Sequence, residues 1–215
     1  GDRRKIIDIS QWGGIKLSAN GSQFLGCDAL TLNNISDTPN LYAKNLDSIS
    51  SASIAALFRS CSLITSISRL DQWDTSQVQF MGQTFYQANK FNQNIGSWNT
   101  SNVTTMDNML GGPNPTNTHS FNNGGSDSIK NWNTISASNM SGMFYGAAKF
   151  NQPIGSWNVS EVTNMYQMFY QATNFSQDLS SWDTHNVTDM RYMFTWASNF
   201  NGNISNWNTS KVNSM

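Results

Sequence analysis

The chain has 215 residues, 12 basic against 13 acidic, and a formal net charge of -1. With charged residues at only 12%, no basic field exists to draw in a polyanion, so nucleic acid is excluded as a partner. No apolar run approaches the roughly 18 residues of a membrane span and no basic-then-apolar leader opens the chain, so a soluble segment with any export signal already absent is expected.

In chain order, residues 1–11 come first, where Ile6, Ile7 and Ile9 alternate with polar neighbours as a capping strand would. Residues 12–72 follow as two degenerate units, in which Trp12 to Phe24 and Leu46 to Phe58 keep the same twelve-residue gap. From residue 73 the pattern becomes regular to 215. Trp73, Trp98, Trp132, Trp157, Trp182 and Trp207 are spaced by 25, 34, 25, 25 and 25 residues. The long step is one period plus nine residues, carried by a Gly-, Pro- and Asn-rich loop at 111–128. The last unit stops at Met215 and is read as truncated, within a single domain spanning 1–215.

Counted from each Trp, Asn or Asp stands at +1, Val usually at +5, Met at +8, Phe or Leu at +12 and usually Ala at +15. Cys27 and Cys61 occupy the +15 place of the two early units. A small buried residue is needed there and a free Cys packs as one; a disulfide between neighbouring units is the alternative. At 100° per residue, the apolar marks from +5 to +18 share one arc, which predicts a short helix, partly 3₁₀, after each Trp. The Ile or Leu at −3 and the Trp lie an odd number apart, so any strand must be very short and centred on Trp. The expected fold is α/β: a right-handed, leucine-rich-repeat-like solenoid of about eight coils, short parallel strands on one face and short helices on the other. One unit buries too little to offset the ordering of its own backbone, so neighbouring units must stack.

The recurring series, as in "FNQPIGSWNVSEVTNMYQMFYQA" from Phe150 to Ala172, resembles the BspA-like leucine-rich-repeat surface proteins. It is similar in particular to the Met-Phe-rich repeat type also found in mycoplasma lipoproteins and known as a domain of unknown function. The resemblance implies a bacterial, exported or surface-anchored protein that adheres to host or partner-cell molecules. It carries over no catalytic residue, because the family motif is a core motif.

Each motif also has a plain structural reading. The Trp series is expected in the core rather than as sugar-stacking platforms, and the Met series in the core rather than around copper. Asn or Asp at +1 is expected to form a ladder bonding the backbone of the adjacent coil, in preference to a cation groove. Of the two histidines, His119 falls in the inserted loop, where replacement is expected to do almost nothing, and His185 takes the place of a repeat Ser. No base, nucleophile or metal set converges, so neither enzyme nor cofactor is expected.

A non-enzymatic surface interaction or adhesion module remains, binding a host or matrix protein or a glycan. A structural spacer is one alternative. A hydroxyl-array solenoid for ice or carbohydrate is another, built on Thr75, Thr100, Thr134, Thr184 and Thr209 and broken by Val159. Two surfaces are candidates. One is the strand face with Asn99, Asn158, Asp183 and Asn208; the other is an aromatic stripe of Tyr86, Tyr145, Tyr166, Tyr170, Tyr192 and Trp196, far from the buried arc. The structural reading of the same rings is as covers over grooves between successive helices.

Overall fold

The structure, a computed structural model, describes residues 8–13, 17, 21–41, 52–113 and 119–215. The expected α/β solenoid of eight coils with helices and strands is not found. Among the described residues regular structure is limited to two short parallel strands, β1 (Ala52–Ser53) and β2 (Val78–Phe80), and 3₁₀ turns at Leu70–Gln72, Asn123–Gly125 and Asp127–Asn131. Among the described residues no helix reaches seven residues, and the 3₁₀ turns stand before a Trp rather than after it.

Overlapping turns take the place of each expected helix. In the unit that begins at Trp157, Met168 N donates to Met165 O, Tyr170 N to Gln167 O and Ala172 N to Phe169 O, each closing three residues rather than four. The alternate amides point away from their own unit: Met165, Gln167, Phe169 and Gln171 donate to Asp189, Arg191, Met193 and Thr195 of the next. The same four-bond pattern recurs one unit earlier, from Met140, Gly142, Phe144 and Gly146 to Asn164, Tyr166, Met168 and Tyr170. Such a ribbon requires left-handed backbone at +10 and +14. Gln83 and Gln87, Gly142 and Gly146, Gln167 and Gln171, and Tyr192 and Trp196 all have positive φ. No α-helix contains these angles. A backbone amide needs a partner wherever it is buried, and here the next layer supplies it in place of the residue four back.

Parallel pairing continues as single bridges from Phe80 to Thr105, Asn139, Asn164, Asp189 and Ser214. These lie at +7, so the strand expected at Trp is displaced into the stretch that was expected to be helical. Of the capping strand expected at 1–11, Ile6 and Ile7 lie outside the described residues, while Asp8 makes one parallel bridge with Thr31. Leu46 also lies outside them.

The core holds the residues that the period marks. Val162, Met165, Met168, Phe169, Ala172 and Phe175 are all buried. Aromatic columns run through successive layers: Phe144, Phe169 and Phe194 stack at 5.6 and 5.5 Å, and Trp132 stacks on Trp157 at 5.8 Å. The indole N–H of Trp98, Trp132, Trp157, Trp182 and Trp207 donates to the −3 carbonyl of the preceding layer. This satisfies the one polar atom that burying a Trp brings with it. Cys27 and Cys61 are buried and not joined in a disulfide; Cys61 Sγ donates to Phe24 O, and burial pushes its thiol up to about 12.

Candidate interaction surface

The polar repeat positions are largely spent between or within layers. Asn99, Asn158, Asp183 and Asn208 are exposed, as expected of the first candidate surface. Their side-chain oxygens accept the amide N–H two residues on, at Ser101, Ser160, His185 and Ser210. They therefore close local turns and do not form the expected ladder to the adjacent coil.

An asparagine ladder exists elsewhere, through Asn92 and Asn151, six residues before Trp98 and Trp157, and Asn122, ten before Trp132. Asn92 accepts from Asn122 N, Asn122 from Asn151 N, and Asn151 from Ser176 N. Thr75, Thr100, Thr134 and Thr184 are buried, and their hydroxyls donate to the +1 carbonyl of the next layer. They cannot act as an exposed hydroxyl array.

The second candidate surface lies on the turn ribbon at +9, +10, +13 and +14. Tyr86, Tyr145, Tyr166 and Tyr170 are half-buried, whereas Tyr192 and Trp196 are 56% and 63% exposed. Tyr145 and Tyr170 stack at 4.8 Å with planes 11° apart, so part of the stripe does cover the layers. Trp196 meets Tyr170 at 5.2 Å and 62°, and Tyr192 meets Tyr166 at 6.0 Å and 76°. Burial, then the neighbouring phenols of Tyr170, Tyr86 and Tyr166, raises the Tyr145 hydroxyl above its ordinary pKa.

Two arginines belong to this face and were not foreseen. The Arg191 guanidinium lies 5.2 Å from the Tyr166 ring and grips Asp189 through Nε and Nη2, at 3.0 and 2.7 Å. That hydrogen bond holds the Asp189 carboxyl below, and Arg191 above, their usual ranges. Arg59 sits 5.1 Å from the Tyr86 ring and donates to Gln83. The available signal was Arg at +9 two residues after Asp at +7, a pairing confined to the Trp182 unit among the regular repeats.

The histidines differ. His185 Nδ1 lies 2.8 Å from Asp183 Oδ1, and this hydrogen bond lowers the Asp183 carboxyl. His119 contradicts the expectation of an inert loop residue: it is fully buried, its Nδ1 accepts from Phe121 N at 3.4 Å, and its Nε2 has no partner. Burial alone pushes its imidazole down to about 4. Among the described residues no group of three or more His, Cys, Asp or Glu is placed to hold a metal, and no helix is long and apolar enough to cross a membrane.

A family model described as "Mycoplasma protein of unknown function, DUF285" matches residues 52–123 and 116–215. The chain belongs to this family. The two DUF285 matches overlap at 116–123, inside the inserted loop and across His119, and together they take in the regular repeats. The family description states no activity and brings no residue roles with it. No curated protein and no solved structure matches the chain.

Proposed function

We propose that this chain is a non-enzymatic interaction module at a cell surface, holding a macromolecular partner through the aromatic face of its turn ribbon. The observation that carries this reading is a contrast in how side chains are used. The recurring Asn, Thr, Ser and Trp groups are committed to bonds that hold layers and turns, as with Asn122, Thr134, Ser156 and Trp157. Tyr86, Tyr145, Tyr166 and Tyr170 instead keep part of their rings at the surface of inner layers, and surface aromatic side chains are what recognition draws on. The likeness of the repeat to BspA-like surface proteins supports export and adhesion, and the Mycoplasma family is compatible with both.

The test is a binding screen of the chain against matrix proteins and glycans, run beside two variant sets of unchanged melting behaviour. In one, Tyr145, Tyr166, Tyr170, Tyr192 and Trp196 become Ser; in the other, Asn99, Asn158, Asp183 and Asn208 become Ala. Loss in the first set alone is the expected result. Loss in the second alone moves the site to the turn face of the Asn and Asp residues, and no binding by the unaltered chain leaves a structural spacer.

A further inference from the structure

Cys27 and Cys61 are the two cysteines of the chain, 34 positions apart, and both are buried at the +15 place that Ala88, Ala147, Ala172 and Ala197 fill in later layers. Hydrogen bonds on either side of them hold their two layers together. Before them, Phe24 N and Gly26 N donate to Leu57 O and Arg59 O at 3.2 and 2.7 Å, and the rings of Phe24 and Phe58 stack at 5.8 Å with planes 10° apart. After them, the Ser62 hydroxyl donates to Asp28 Oδ1 at 3.0 Å. The Phe24 carbonyl accepts from Cys27 N and from Cys61 Sγ, each at 3.0 Å, so the Cys61 sulfur lies at the turn that Cys27 closes.

Chains paired by backbone hydrogen bonds lie about 4.8 Å apart, within the roughly 4.4–6.8 Å of Cα separation that a disulfide spans. Packing alone asks only for a small side chain here, as the four alanines show; a thiol on both members of one column adds a chemistry that packing does not use. The place also suits a covalent tie. The indoles of Trp98, Trp132, Trp157, Trp182 and Trp207 each bond to the preceding layer, whereas Trp73 Nε1, at the junction with the early layers, has no hydrogen-bond partner.

We propose that Cys27 and Cys61 form a redox-controlled staple between the two early layers: a pair of thiols under reducing conditions, and a disulfide where small disulfides are in excess. One cysteine thiolate attacks the small disulfide, which releases one small thiol and leaves a mixed disulfide on the chain. The other cysteine thiolate attacks the protein sulfur of that bond, the Cys27–Cys61 bond forms, and the second small thiol leaves. Two electrons and the two cysteine protons thus pass to the oxidant, which departs as two thiols. Burial pushes the Cys61 thiol up to about 12, so its thiolate forms while the layers are parted, during folding or local opening. The staple does not depend on what the ribbon face binds.

The test unfolds the reduced 215-residue chain in urea and refolds it in a mixture of oxidised and reduced glutathione, beside an arm kept in dithiothreitol. Thiol titration and peptide mass mapping are expected to show Cys27 joined to Cys61 in the glutathione arm alone, with Tm about 4–8 °C higher there because the link restricts the unfolded chain. Cys27→Ala and Cys61→Ala, each carrying the residue that later layers hold at +15, are expected to fold and to lose that rise. The inference is overturned if both thiols remain titratable after refolding with glutathione, if the products are glutathione adducts or disulfide-linked dimers, or if the Cys27–Cys61 bond forms and lowers Tm. A rise in Tm that persists in either alanine variant would also overturn it, since the oxidant would then act elsewhere.

Discussion

The layers that follow Trp132 and the layer that begins at Trp98 are built on one ribbon, yet they differ by nine inserted residues. In the regular layers each column continues without interruption, Phe150 onto Phe175 onto Phe200 at 5.8 and 5.9 Å. In the Trp98 layer the ribbon is intact as far as Gly112, whose N–H still reaches Tyr145 O at 2.7 Å. The chain then departs and returns with Phe121 in the Phe column, 6.1 Å from both Phe91 and Phe150, and Asn122 in the Asn column. Repeating columns, rather than repeating chain length, therefore define a layer. The irregularity is absorbed between them, where His119 is buried with Nε2 unpaired and Asn89 Oδ1 also lacks a partner.

The strongest test of this contrast is removal of a column member in a regular layer. Trp157→Ala deletes a ring stacked on Trp132 and 6.2 Å from Phe144, together with its bond to Ile129 O. A loss of about 3–5 kcal/mol is expected, read by urea unfolding. An unchanged melt with lost binding would show that the Trp column is a binding surface and not core.

The inserted layer should show its difference through pH. The His119 imidazole is pushed from 6.5 to about 4 by burial, so between these values the unfolded chain binds a proton that the folded chain refuses. Its contribution is whole above pH 6.5 and is withdrawn as pH falls toward 4, on the order of 3 kcal/mol in total. Denaturant melts from pH 7 to 4 should show this slope, and His119→Gln should flatten it. Equal slopes in both proteins would place the acid sensitivity elsewhere.

Asn122→Ala tests the junction between the two regions. The Asn122 side chain accepts from Asn151 N and Gln152 Nε2 at 3.0 and 2.8 Å, and Gln152 is buried. Leaving the Asn151 N–H unmet, and Gln152 Nε2 with only the Asn122 backbone carbonyl, should lower stability by about 1–3 kcal/mol. A neutral result would mean that the column carries no load across the insertion.

The core was readable from the sequence because burial follows spacing. Met165, Met168, Phe169 and Ala172 are buried where the period put them, and the small +15 site of Cys27 and Cys61 is as expected. The backbone was misread for the same reason: overlapping turns and a helix both gather +8, +11, +12 and +15 on one side. The discriminating signal lay in the residues between, where Gly112, Gly142 and Gly146 recur at the left-handed places. Four of the six stripe residues are half-buried, and their ring contacts and the Arg191–Asp189 pair depend on neighbouring layers that no single repeat displays. His119 was misjudged because loop composition reports the course of the backbone and not what the loop covers.

The central claim is that alternating left-handed residues turn the backbone outward to bond the next layer. Gln167 and Gln171, with φ of 54° and 57°, test it by the sign of one substitution. Changing both to Gly should raise stability by about 1 kcal/mol, because Gly accepts this conformation without steric conflict. In a helix the same change would lower it by about 1 kcal/mol per residue. A higher Tm for the double variant is the predicted result, and a fall would contradict the turn ribbon.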